Sequence, residues 1–372
     1  MKVFHLADTH IGYSAYNKLD ENGINQRESD VFDAFARIVD LAIEDEPGLV
    51  LHSGDLFDTV RPSNRAISFV VGQLLRLSSA GIPTVIISGN HSTPRLRETG
   101  SVFKVFEHIE NIHLAYTGEG QSFEFGDVKI HALPHSGDKA MFEKELSSLA
   151  PDRNFGVNIA MLHAAISGMS VFRMNEFNEL MASATQLDRG FDYIALGHYH
   201  EHCEVSPGVV YAGSIERFGF GEVNHPKGFV ELDTGSGRWK FRKMETRKML
   251  DLGAVQCARM TAEDIESAIR RNLESENIDG AIVRQKLIDI ERRTLGQLDT
   301  ETMRKTARDA LHFELRPSTK DSGQDIASHD ASFESLEREF MDYISKAAIE
   351  GADPARMEEM GLRYLSSGGD EE

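Results

Sequence analysis

Residues 193–200 read YIALGHYH: four residues suited to a buried strand, a glycine, and two histidines one residue apart, with a third following at His202. A strand this apolar on both faces needs cover on both, which is the habit of α/β sheets. In such sheets the carboxyl ends of the strands open into water together, and their loops converge on one rim where ligands bind. Histidines at that point of the chain therefore read as ligand-facing groups.

The same theme recurs through the first 235 residues. VFHLADTH (3–10), LVLHSGD (49–55), TVIISGNH (84–91), NIAMLHA (158–164) and VVYAGS (209–214) each run from a short apolar stretch into a small or polar cluster. Between the first three lie helical patterns: Val31, Phe32, Phe35, Ile38, Val39 and Ala42 recur at helical spacing, and a second helix opens at Pro62-Ser63-Asn64 and stops before Gly81-Ile82-Pro83. Strand, helix, strand, helix predicts an α/β layered architecture.

The rim so predicted collects Asp8, His10, Asp55, Asn90, His91, His163, His198 and His200. Successive side chains of an extended strand point to opposite faces, so Asp8 and His10 are expected to share a side, as are His198 and His200. Neutral imidazoles and ionised carboxylates are common ligands of divalent cations. Seven ligands with one carboxylate shared suit two such ions, each keeping an open position for water or substrate, whereas a single zinc needs three or four.

These blocks resemble the calcineurin-like metallophosphoesterases, whose D-x-H, G-D-x-x-D, G-N-H and G-H-x-H motifs stand here as Asp8-Thr9-His10, Gly54 to Asp58, Gly89-Asn90-His91 and Gly197 to His200. The resemblance implies a β-sandwich flanked by helices. It also implies one metal ion held by Asp8, His10, Asp55 and His200, and another by Asp55, Asn90, His163 and His198. His91 would then protonate the leaving oxygen or stabilise the charged transition state. HLADTHIGY (5–13), GDLFDTVRPS (54–63) and LGHYH (196–200) look like one branch, the DNA double-strand-break repair nucleases: the meiotic-recombination-eleven nuclease of archaea and eukaryotes and its bacterial relative SbcD. That likeness implies a manganese-dependent 3′-to-5′ double-strand exonuclease and single-strand endonuclease, a homodimer bound to DNA and to a Rad-fifty-type SMC-like ATPase. Two positions depart from the pattern. Asp58 stands where several members have a histidine, which puts that histidine's part in exonuclease action in doubt. Ser92 stands where an aspartate that could orient His91 is usual.

The expected organisation is a nuclease core over 1–249, a small α+β capping domain over 250–317, a polar linker over 318–332 and a helical hairpin over 333–366. GRWKFRKMETRK (237–248) reads as the last core strand, TAEDIESAIRRNLES (261–275) as a helix with Thr261 as N-cap, and GAIVRQKLIDI (280–290) as a strand. In the tail Phe333, Leu336, Phe340, Tyr343 and Ile344 keep helical spacing, and two short helices with unburied apolar faces suit docking to the ATPase. Either the helix within 62–80 or the stretch near 95–110 is a candidate dimer face.

The formal net charge is −20, unevenly placed: residues 1–235 carry 18 basic against 32 acidic side chains, 236–317 carry 17 against 14, and 318–372 carry 5 against 14. DNA backbone contacts are therefore expected on the capping segment, from Arg270, Arg271, Arg292 and Arg293, with weak, salt-sensitive binding by the chain alone. No apolar run of about 18 residues is present and MKVFHLADTH leads straight into a motif, so neither a membrane helix nor a secretory signal is expected. Two cysteines, Cys203 and Cys257, suit a reducing compartment, and the chain is assigned to the cytoplasm. His5, His52, His131 and His135 read as satisfied core histidines, and His202 as lying past its strand. Two other functions fit the same motifs: a phosphoesterase acting on a small phosphodiester or phosphoprotein, and a DNA-end scaffold without catalysis.

Overall fold

The structure, a computed structural model, describes residues 1–93, 100–167, 180–187, 189–319 and 356. Apart from Arg356, these belong to one compact unit, Met1–Lys320. The helical hairpin expected at 333–366 and nearly all of the linker lie outside the described residues. The linker's first two positions do not: the last strand runs through Thr319 rather than ending at 317.

Two six-stranded sheets face each other. In chain order the strands are Lys2–Leu6 (β1), Leu49–His52 (β2), Thr84–Ile87 (β3), Ile112–Ala115 (β4), Gln121–Phe125 (β5), Val128–Leu133 (β6), Val157–His163 (β7), Ala165–Ser167 (β8), Met181–Ser183 (β9), Tyr193–Gly197 (β10), Cys203–Ser206 (β11), Val209–Tyr211 (β12), Gly228–Asp233 (β13) and Arg238–Lys243 (β14). The first sheet has the order β14-β13-β1-β2-β3-β4 and the second β11-β12-β10-β7-β6-β5, while β8 and β9 form a separate pair. In the first sheet β1 to β4 run parallel, and in the second β6, β7, β10 and β12 do.

Alternation explains why these strands look apolar throughout. Val3, Leu49, Leu51, Val85 and Ile87 point between the sheets, meeting Ile130, Ile159, Met161 and Ala195 from the other side. Phe4, Leu6, Val50 and Ile86 point outward, under helices Gln26–Asp45 (α1) and Asn64–Ser79 (α2), which return Val31, Phe35, Ile38, Val70 and Leu74. The second sheet is covered by Lys139–Ser148 (α3), with Phe142 and Leu146 against Leu133, Leu162 and Leu196; a single short turn of helix, Ala184–Leu187 (α4), follows β9. Trp239 and Phe241 turn into the inter-sheet core while Lys240 pairs with Glu231 outside, as the alternation in GRWKFRKMETRK predicts.

Beyond β14 lies a third, all-parallel sheet of Met249–Gln256 (β15), Ile282–Ile290 (β16) and His312–Thr319 (β17). Ala262–Glu274 (α5), opened by a capping box at Thr261, packs Ile265, Ile269 and Leu273 on it. Arg292–Leu295 (α6) and Thr300–Thr306 (α7) complete this part. It is tied to the sandwich by Arg247, which donates to Gly280 O at 2.7 Å and to Asp30 on α1, by Arg284 over the Phe220 ring at 4.3 Å, and by Tyr16 stacked on His312.

Candidate metal centre

The parallel strands β1, β2, β3, β7 and β10 end at one place, but the side chains that meet there do not sit on the strands. β1 stops at Leu6 and β10 at Gly197, so Asp8, His10, His198 and His200 all lie in the turns that follow. Strand alternation is therefore not what orders them: Asp8 and His10 do meet in one ligand group, as expected, whereas His198 and His200 fall in different groups. Asp8, His10, Asp55 and His198 have left-handed backbones, with φ of 51°, 44°, 52° and 99°. Non-glycine residues hold that conformation only where the surroundings impose it, and such residues cluster at functional sites. Here the imposition is visible: Asp8 N–H donates to Gly54 O, His10 N–H to Asp55 O and Ile11 N–H to Leu56 O, which laces the first two loops together. The turn at His198 aims its N–H at both Asp8 carboxylate oxygens, 3.0 and 3.1 Å away.

Ligand atoms of Asp8, His10 and His200 lie within 4.8 Å of one another, and so do those of Asp55, His163 and His198; a third such group joins His10, Asp55 and His91. Asn90 completes the second group, its Oδ1 standing 2.9 Å from His163 Nε2 and 3.2 Å from His198 Nδ1. Asp55 stands between the groups. Its Oδ1 accepts His91 N–H at 2.9 Å, leaving Oδ2 3.2 Å from His163 Nε2 and 4.0 Å from His10 Nε2. Asp8 is fully buried and Asp55 nearly so, which is costly for two carboxylates without a compensating positive charge.

Tautomers show where that charge belongs. His163 Nδ1 is 2.8 Å from Ser53 O, an acceptor only, so Nδ1 carries a proton and Nε2 is the atom turned to the site. Nε2 faces the Asp55 carboxylate and the Asn90 oxygen, to which it donates as an imidazolium and beside which it offers a ligand lone pair once deprotonated. Burial alone would push His163 down, but the Asp55 and Asp8 carboxylates hold its imidazolium up to about 9. On the other side, His200 Nδ1 donates to Glu222 Oε1 at 2.9 Å and His10 Nδ1 faces Asp58 Oδ1 at 3.3 Å. The two inner nitrogens, His10 Nε2 and His200 Nε2, meet across 3.1 Å. Two ligand atoms each about 2.1 Å from one cation and at right angles lie about 3.0 Å apart. The donor set and its spacing therefore fit divalent cations, and the residues that could hold them are Asp8, His10, His200, Asp55, Asn90, His163 and His198.

His91 is set apart. Its Nδ1 donates to the Asp58 backbone carbonyl at 2.8 Å, and its ring meets that of His10 edge-on. The orientation that an aspartate at 92 would give is supplied by the main chain of residue 58, and Ser92 is buried with its hydroxyl unpartnered.

Residues 1–202 match the calcineurin-like phosphoesterase family. The chain belongs to that family. Calcineurin-like phosphoesterases use divalent metal ions, in accord with the donor set described. The chain is similar to proteins named DNA double-strand break repair protein Mre11: 29% identical over 201 residues to that of Sulfurisphaera tokodaii, covering 54% of this chain and 49% of the relative; 30% over 260 residues to that of Thermoplasma acidophilum, covering 66% and 65%; and 27% over 297 residues to that of Methanopyrus kandleri, covering 73% and 62%. The matches span about half to two thirds of these relatives' own length.

For this phosphoesterase the motifs and strand ends pointed to the candidate ligand residues that the structure brings together, but not to those behind them. Glu222, in the 3-10 turn Phe220–Glu222, and the fully buried Lys227 carry no spacing signal relative to His200. His135, expected in the core, is largely but not fully buried at the edge of the cluster, with Nδ1 buried and unpartnered; burial and then the His163 charge hold its pKa down to about 3. His5, His52 and His131 are core histidines as expected, paired with Tyr193, Thr9 and Asn158. His202 packs, stacking on Phe241 at 4.1 Å and donating Nδ1–H to Tyr211 O. Two ring nitrogens, His5 Nε2 and His52 Nδ1, are buried without a partner, so these histidines are not fully satisfied.

Proposed function

We propose that this protein is a manganese-dependent DNA nuclease with two metal ions, one held by Asp8, His10, Asp55 and His200 and one by Asp55, Asn90, His163 and His198. The observation that carries the reading is the pair of ligand groups meeting at Asp55 with His91 beside them. When bound, two divalent ions supply Lewis acidity: they lower the pKa of a water nucleophile and neutralise charge on the phosphate. The chain does the rest. Asp55, fixed by the His91 N–H, holds its second oxygen toward both groups. His91, with Nδ1–H committed to Asp58 O, has only Nε2 for the substrate, and in its protonated form that nitrogen delivers a proton to the leaving oxygen.

DNA as substrate is supported by the similarity to relatives named for double-strand break repair. By the same likeness the activity is a 3′-to-5′ double-strand exonuclease and single-strand endonuclease, in a homodimer that acts with a Rad-fifty-type ATPase through residues 333–366. We assign residues 1–249 to the nuclease core and 250–317 to a capping domain whose exposed Arg270, Arg271, Arg292 and Arg293 contact the DNA backbone. Leu75 on α2 and Val105 offer exposed apolar surface for the dimer.

The test is hydrolysis, with manganese, of duplex DNA and of a small chromogenic phosphodiester by the wild type and His91→Asn. We expect DNA cleavage that falls by about 10²–10⁴ in the variant with manganese binding intact. Cleavage of the small ester alone would indicate a small-substrate phosphoesterase, and no hydrolysis of either would indicate a scaffold.

A further inference from the structure

The two ligand groups are backed differently. Behind His163 stands a neutral backbone carbonyl, Ser53 O. Behind His200 stands a carboxylate, Glu222, and behind that an ammonium with no exposure at all. Lys227 Nζ is 2.6 Å from Glu222 Oε2, 2.7 Å from Ser214 Oγ and 2.9 Å from His200 O, so each of its three N–H bonds has an acceptor. Glu222 Oε2 also accepts Phe218 N–H at 3.2 Å. The carboxylate is thus held from two sides, with Oε1 left for the imidazole. A buried lysine is expensive, and one whose three bonds all go to the His200 segment, the turn at Ser214 and Glu222 is placed to fix that segment.

We propose that Glu222, clamped by Lys227, is a positioning residue for the metal ion on the Asp8 side: it locks His200 as the Nδ1–H tautomer with Nε2 turned to the cation. A carboxylate behind a ligating imidazole fixes ring orientation and raises the basicity of the inner nitrogen, effects worth ten- to a hundredfold in metal affinity. Because nothing similar backs His163, the effect falls on one ion of the two. This inference rests on the metal-centre reading above.

Manganese binding is followed by the electron paramagnetic resonance of free Mn2+ in full-length wild type, Glu222→Gln and Lys227→Met, and the His200 tautomer by nitrogen-15 shifts of histidine-labelled, metal-free protein. The wild type is expected to bind two ions. Glu222→Gln should bind one as the wild type does and the other ten- to a hundredfold more weakly, with His200 losing its uniform Nδ1–H form. Lys227→Met should follow in the same direction. The retained ion certifies that the variant is folded. Glu222→Gln binding both ions with wild-type affinity, or weakening both equally, overturns the proposal and leaves the metal centre standing. A wild type that binds no second ion overturns the metal centre, and the proposal with it.

Discussion

His5 sits on β1, facing the gap between the two sheets, with Nδ1 3.0 Å from the Tyr193 hydroxyl and Nε2 buried without a partner. Burial pushes its pKa from near 6.5 down to about 3, with the His202 charge adding in the same sense, and burial does the same to His52. A depressed histidine binds its proton better in the unfolded chain. Its contribution to stability is therefore complete above pH 6.5 and is lost as the pH falls from there toward 3. At pH 5 the loss from one such histidine is about 2 kcal/mol, and about 4 for the pair, a large part of the roughly 5–15 kcal/mol that holds a domain folded. The perturbation that isolates one of them is His5→Gln, whose amide can still meet the Tyr193 hydroxyl but does not titrate. Urea unfolding in the presence of a chelator at pH 7.5 and pH 5.0 should show the wild type losing more than the variant by about 2 kcal/mol, whatever the variant's own stability at pH 7.5. An equal loss in both proteins would refute the assignment of acid sensitivity to His5.

Three further outcomes are expected. Gly54 has φ of 96°, and a Cβ there would lie 2.1 Å from His163 Nδ1, so Gly54→Ala should displace His163 and abolish manganese uptake on that side, read by titration with Mn2+. Asp58→Ala removes the carboxylate beside His10 Nδ1 but keeps the carbonyl that orients His91; manganese affinity should fall about tenfold while the DNA cleavage rate at saturating manganese changes little. Arg27 is buried with Asp30 at 2.6 Å and Glu216 at 3.6 Å, so Arg27→Met leaves acidic groups undercompensated and should cost about 3–5 kcal/mol, measured as the urea midpoint shift.

The layers were legible because each strand is covered on both faces: VFHL and LVLH read as apolar runs for the same reason that Val3 and Leu51 meet the second sheet while Phe4 and Val50 meet the helices. The candidate ligand residues were legible because each motif is one loop, and a loop that presents such a group does so within three or four residues of its strand. The geometry of those loops was not. Alternation put Asp8 beside His10, where they do meet, and His198 beside His200, which fall in different groups; φ at these positions is set by bonds such as Asp8 N–H to Gly54 O, which join loops 46 residues apart in the chain and leave no local pattern. The same separation hides the groups behind the ligands. Glu222 reads in sequence as one acidic residue in FGFGE, and Lys227 as one of 40 basic side chains; only the return of the chain toward β13 brings them under His200. What touches a ligand must lie at the strand ends and so arrives as a motif, whereas what holds the ligand's holders can come from any segment that passes beneath, and is found only in the folded molecule.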